Sequence, residues 1–168
     1  MNDFIQAILT LLRGVTDIQH VAIYNQQYER INSGNEDGEE GYLFAMPAVF
    51  VEFDFSTVQL MGQGYQLYDP TIITLHIVMQ ELDAGSGLLD QNTNFITLRN
   101  NIFLALEKKY VAQSGLLIRT SEAPDYGHNN LYVFKQTYTT TFVDAIGKDP
   151  INGVTLQPPI NFNITNTI

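Results

Sequence analysis

The side chains able to do acid–base or metal chemistry are few and scattered. The histidines are His20, His76 and His128. None belongs to a His-x-x-x-His pair or to a carboxylate–His pattern at metal-ligand spacing. His20 and His76 read as strand residues and His128 as a loop residue. Glu52 and Asp54 share one face of an alternating run, the arrangement a pair of acid–base carboxylates could use. Two exposed carboxylates on a strand are far more often a wet face, and they are read so here. Glu36, Asp37, Glu39 and Glu40 crowd together with glycines. Such oxygens suit calcium, but the EF-hand ligand spacing is absent, so a solvated acidic loop is expected.

Motifs with a fixed mechanism are equally sparse. There is no Gly-x-Ser-x-Gly elbow and no phosphate-binding lysine loop. Gly62-Gln63-Gly64 lacks the third glycine and the following helix of a dinucleotide fingerprint, so it reads as a turn. Asn163-Ile164-Thr165 matches a glycosylation acceptor, which has no meaning without secretion. The expectation is therefore a non-enzyme with no cofactor and no metal.

Composition bounds the rest. A chain of 168 residues with 45% hydrophobic and 11% aromatic residues can bury one core. It holds no cysteine and no tryptophan. That excludes a disulfide scaffold, a thiolate metal site and a cysteine nucleophile, and fits a reducing compartment. The apolar stretch of residues 4–12 is short and broken by Gln6 and Thr10. It lacks a basic flank and a cleavage site, so no signal peptide is expected. No run approaches the roughly 18 apolar residues a membrane helix needs. Acidic residues outnumber basic ones 18 to 8, for a net charge of −10. A protein that neutralises phosphates needs the opposite sign, so specific nucleic-acid binding is not expected.

The elements that would position any site follow from periodicity. Phe4, Ile5, Ile8, Leu9 and Leu12 recur at helical spacing, with Asn2 as a cap, Asp3 in the first turn and Arg13-Gly14 at the stop. Residues 20–25 suggest a short strand, and residues 26–41 a mobile loop. Residues 46–55 alternate, with Val49, Val51, Phe53 and Phe55 on one face, and Pro47 must lie at the strand start or on an edge. Residues 58–67 form a weaker strand broken at Gly62 and Gly64. Residues 71–81 form a strong one, with Ile73, Leu75, Ile77 and Met79 on one face and Pro70 just before it. Asn92 or Thr93 caps a helix running to Val111. Its inward face is Phe95, Leu98, Ile102, Ala105, Leu106 and Lys109, broadened by Ile96 and Phe103, with Lys108 and Lys109 in the last turn. Residues 115–121 suggest a strand and 123–130 a loop. Residues 131–145 make the longest strand, with Tyr132, Phe134, Tyr138 and Phe142 on one face. At roughly 50 Å it should project past its own domain or bend at a bulge.

The order predicts an α+β fold: a mostly antiparallel sheet with an N-terminal helix and one long packing helix. Two parts follow, a domain over residues 1–145 and an extended C-terminal arm over residues 146–168. The arm holds Pro150, Pro158 and Pro159 and little charge, yet keeps regular apolar residues. It suits strand addition to another subunit, with Leu156, Ile160, Phe162 and Ile164 as candidate oligomer-interface residues.

In this order the segments MPAVFVEF, IITLHIVMQ, FITLRNNIFLALEKKY and YVFKQTYTTTFVDA resemble the phage tail terminator or tail completion family, over residues 1–145. Head–tail connector and neck-ring proteins share similar ingredients. The acidic loop after Tyr28 and the arm after Ala145 depart from the pattern. The resemblance implies a structural virion protein, made in the host cytoplasm. It implies a homo-oligomeric ring, hexamer or dodecamer, around the DNA channel. Tail-tube and neck or portal proteins would be its neighbours. DNA would pass through it without specific binding, and no membrane would be involved. Two other readings are kept: a small α+β ligand-binding or enzymatic domain, and a ring subunit of a contractile injection machine.

Overall fold

The computed structural model describes residues 1–29, 44–62, 65–80, 89–128 and 131–145. The acidic residues Glu36, Asp37, Glu39 and Glu40 lie outside them, and so does the arm with Leu156, Ile160, Phe162 and Ile164.

The chain begins with helix α1, Asn2–Arg13. Its buried stripe is Phe4, Ile8, Leu9 and Leu12, the spacing that puts apolar side chains on one face. Asp3 and Arg13 occupy the turns where the helix dipole favours their charges. The cap position falls to Met1, with no side-chain cap bond, so Asn2 is the first helical residue and not the cap.

Among the described residues, six strands and a second helix follow: β1 (His20–Ile23), β2 (Ala48–Asp54), β3 (Val58–Gly62), β4 (Tyr65–Gln80), α2 (Leu89–Leu106), β5 (Ile118–Asp125) and β6 (Leu131–Asp144). They form one mixed sheet in the order β1-β2-β4-β6-β5, with β3 also on β4. β1 runs parallel to β2, and the other pairings are antiparallel. The fold is α+β.

β2, β3 and β4 are one long hairpin. Asp54 pairs with Ile72 and Val58 with Tyr68, so residues 55–57 face residues 69–71 without a break in register. Pro70 sits in that gap. It lies inside β4, not before the strand as its lack of an N–H suggested. The sheet accommodates it with a bulge, because Tyr68 pairs with Phe142 while Thr71 pairs with Thr140. On the other strand, Asp54 Oδ1 accepts the Ser56 N–H at 2.7 Å, supporting the chain where the ladder is interrupted. Pro47 stands just before β2, as expected, and its carbonyl accepts from Gln19 N–H at 2.8 Å.

Both helices pack on one sheet face. There Val49, Val51, Ile73, Leu75, Ile77, Phe134, Tyr138 and Phe142 meet Phe4, Ile8, Leu12, Leu98, Ile102 and Leu106. The alternation expected for β2, β4 and β6 is therefore correct. A smaller cluster lies on the opposite face, with Tyr28, Ala48, Phe50, Val78, Leu131 and Val133.

Several expectations are corrected. β6 does not project: it is paired along its length with β4 and flanked by β5, and register shifts in both pairings place β-bulges along it, the alternative expected. The longest strand is β4, at 16 residues. α2 opens at Leu89, so Asn92 and Thr93 lie inside it; no glycine or proline after Gly87 stops it sooner. It ends at Leu106, not Val111. Lys108 takes a left-handed backbone with φ of 55°, and its N–H bonds the Leu117 carbonyl at 2.8 Å. That reversal places Lys108 and Lys109 past the last helical turn, both exposed. Ile96 is also exposed instead of broadening the core face. β5 starts later than residue 115 and runs through Pro124 to Asp125, which an edge strand tolerates. Finally, Tyr28, assigned to a mobile loop by its acidic neighbours, is fully buried.

Candidate functional site

Two places stand out: a polar cluster on the helix-free face and the uncovered tip of the long hairpin.

The polar cluster is centred on His76 of β4. On this face it lies between Phe50 of β2 and Lys135 of β6, its cross-strand partners. Its Nε2 is 3.0 Å from Glu52 Oε2, and its Nδ1 is 2.7 Å from the Tyr28 hydroxyl. Ionised Glu52 only accepts, so Nε2 carries the proton, Nδ1 accepts, and Tyr28 donates. Tyr24 stacks on the imidazole at 4.0 Å, and its hydroxyl donates to Glu29. Burial pushes the His76 imidazole below its ordinary pKa, and Lys135 adds to this against the pull of Glu52. Burial also pushes Tyr24 up to about 12, helped by Glu29, and pushes Tyr28 further still.

A second histidine reaches the same tyrosine. His128 stands edge-on to Tyr28 at 5.0 Å. Its Nε2 is 3.2 Å from Asp125 Oδ2 but is not aligned for a hydrogen bond. Asp125 is held mainly by Lys135 at 2.8 Å. Burial works to raise its carboxyl, yet Lys135 and His128 together hold it below the usual range. The sequence separated these histidines, and the fold brings both to Tyr28. His20 is elsewhere, stacked on Phe44.

This constellation is equipped to hold the layer together. Tyr28 and His76 are 0% and 2% exposed, so neither presents a reactive atom to solvent. Glu52 is engaged by His76 and Asp54 by Ser56. The two carboxylates therefore have separate partners. No group of three metal-ligating side chains occurs among the described residues.

On the other side, Glu122 gathers Arg99 and Arg119. Gln136 donates to Glu122 at 3.5 Å, a long contact, and accepts from Tyr138 at 3.2 Å. Burial opposes ionisation of Glu122, but the two guanidiniums outweigh it and keep the carboxyl below its usual range. An open cleft of about 360 Å³ lies between Pro47, Met79 and Leu98, with Asp17 as its charged lining residue.

The hairpin tip differs in kind. Val58, Leu60 and Met61 are 51%, 82% and 62% exposed. The register shifts between Leu60 and Gly62, so Met61 stands at a bulge, where strict alternation lapses. Val58 pairs with Tyr68 and Tyr68 with Phe142, so Val58 shares the helix-bearing face. On that face α1 reaches Phe53, Phe55 and Phe142 through Phe4, and its cap residue Met1 reaches Asp144 through its amino group at 3.4 Å. Isolated exposed apolar residues are ordinary, but three within four positions of one edge strand form a patch. The sequence reading treated residues 58–67 as a weak strand and missed this. The available signal was the uncharged run Val58-Gln59-Leu60-Met61-Gly62.

No protein-family model matches the chain, and no curated protein matches it. No helix among the described residues is long and apolar enough to cross a membrane.

Proposed function

We propose that this chain is a structural subunit of a ring at the head–tail junction, or at the top of the tail tube, of a phage. The ring surrounds the DNA channel and gives the adjoining tail-tube and neck or portal proteins a surface to dock on. It is made in the host cytoplasm and ends in the virion. The observation that carries this reading is the apolar hairpin tip, where Val58, Leu60 and Met61 stand exposed within four positions of one edge strand. Such a tip loses free energy in water and gains when another chain covers it. The balance of 18 acidic to 8 basic residues suits a wall past which DNA moves without adhering.

Light scattering after size exclusion, followed by negative-stain microscopy, tests the proposal. Closed rings of six or twelve subunits with a central hole are expected. A particle that stays monomeric at high micromolar concentration and when mixed with a phage tail tube would overturn it.

A further inference from the structure

We propose that the open edge of β3 receives residues 160–164 of a second copy of this chain as an added strand. The inference rests on the ring reading and names the contact that would close the ring.

β3 is paired with β4 on one side only among the described residues. β1 covers the same side of the sheet only alongside Ala48–Val51 of β2, well short of Val58. The row of N–H and C=O groups on the outer edge of β3 is thus a template for another strand. Natural edges are blunted by charge or proline. β5 follows that rule, with Arg119, Glu122 and Pro124 along its eight residues. β3 carries neither, and its apolar side chains are exposed. Its one irregularity is a register shift between Leu60 and Gly62 at the turn.

The arm has the complementary pattern. After Pro158-Pro159, Ile160, Phe162 and Ile164 alternate with Asn161, Asn163 and Thr165. This is the period of a strand with one apolar and one amide-rich face. Laid beside β3, the Ile/Phe row extends the row of Val58 and Leu60, and the asparagines lie on the side of Gln59. Both partners are uncharged, so they meet without the repulsion expected between most surfaces of a chain of net charge −10.

Chain geometry lets a neighbour be the donor. β6 ends in the row Leu60–Gln66–Asp144, two strand spacings from β3, or roughly 10 Å. Residues 145–159 reach up to about 50 Å when extended. Pro158 and Pro159 restrict the backbone freedom of the step before Ile160. The reach far exceeds the gap to the chain's own edge. Because arm and edge are different surfaces, the contact is head-to-tail and closes into a ring when the rotation permits.

The chain has no cysteine, so cross-linking is clean. Full-length Gln59→Cys is mixed with full-length Asn163→Cys, or with Asn161→Cys to allow for register, and oxidised. A disulfide-linked dimer is expected from the mixture. The doubly substituted chain should give a ladder up to the ring size. A doubly substituted chain that closes on itself as a monomer, or no cross-link with either asparagine, overturns the proposal. Full-length Leu60→Asp should weaken association at least tenfold and leave the melting temperature unchanged. Unchanged association would overturn it as well. Rings that form without the cross-link refute this contact but leave the ring reading standing. Cross-linked open filaments support the contact and refute the ring.

Discussion

The hydroxyl of Tyr28 donates to Nδ1 of His76 across 2.7 Å, joining residues 48 positions apart in sequence. The bond fixes the imidazole tautomer, because the opposite nitrogen must then donate to Glu52. It also anchors the segment after β1 to the helix-free face of the sheet. Both rings are buried, so the bond is shielded from competing water.

Replacing Tyr28 by Phe keeps the ring and removes this donor. Nδ1 of His76 is then buried without a partner, which costs about 1–3 kcal/mol. Urea unfolding should show that loss with an unchanged slope. A variant as stable as the parent would show that water reaches the site and takes over the bond.

The same histidine sets a pH dependence. Its folded pKa lies below the ordinary 6.5, chiefly through burial. The unfolded chain therefore binds a proton near pH 6.5 that the folded chain does not. Its contribution is fully present above about 6.5 and is lost as pH falls from there through the lower folded value. Glu122 and Asp125, both held below their ordinary values of 4.5 and 3.8, act only in more acidic solution. The melting temperature should thus fall between pH 7.5 and 5.5, and fall less in His76→Gln. Equal slopes in the two proteins would remove His76 as the cause.

Much of the fold was legible in the residues because local rules governed it. α1 spans Asn2–Arg13, where five apolar positions recur at helical spacing. β2 alternates as written, with Pro47 just outside it. The errors arose where a distant partner overrode the local signal. Pro70 reads as a strand boundary, yet pairing with β2 and β6 carries β4 across it. Lys108 reads as a favourable last-turn cation, yet its bond to Leu117 turns the chain away. Tyr28 precedes an acidic glycine-rich run and so reads as loop, yet Phe50, His76 and His128 surround it. A link across 48 positions leaves no periodic trace. The hairpin tip was legible as an uncharged stretch, but only its exposure makes it a candidate surface.

Phe4 ties α1 to the sheet. It is fully buried, stacked on Phe142 at 4.7 Å and edge-on to Phe53 at 6.2 Å. Phe4→Ala should cost about 3–5 kcal/mol, the usual loss for a truncated core aromatic. Leu60→Ala, at an 82% exposed site, should change monomer stability by no more than about 0.5 kcal/mol. Denaturant melts of the pair, taken at concentrations too low for assembly, test the contrast. A similar loss at both sites would mean that Leu60 is covered within the subunit.

Truncation after Ala145 separates folding from assembly. Among the described residues, both buried clusters lie at or before Phe142, and the helices and strands end by Asp144. The segment removed carries Leu156, Ile160, Phe162 and Ile164 with almost no charge. Covered by a neighbour, each such side chain contributes about 1.5–3 kcal/mol, from which the ordering of the arm and the lost freedom of association are subtracted. The fixed φ of Pro158 and Pro159 lowers that ordering cost. The truncated chain should therefore keep its circular dichroism and a melting temperature within a few degrees of the parent, yet sediment as a monomer where the parent assembles. A truncated chain that fails to fold would place the arm in the subunit's own core. One that folds and still assembles would free the arm from any part in the ring and leave the β3 edge to another partner.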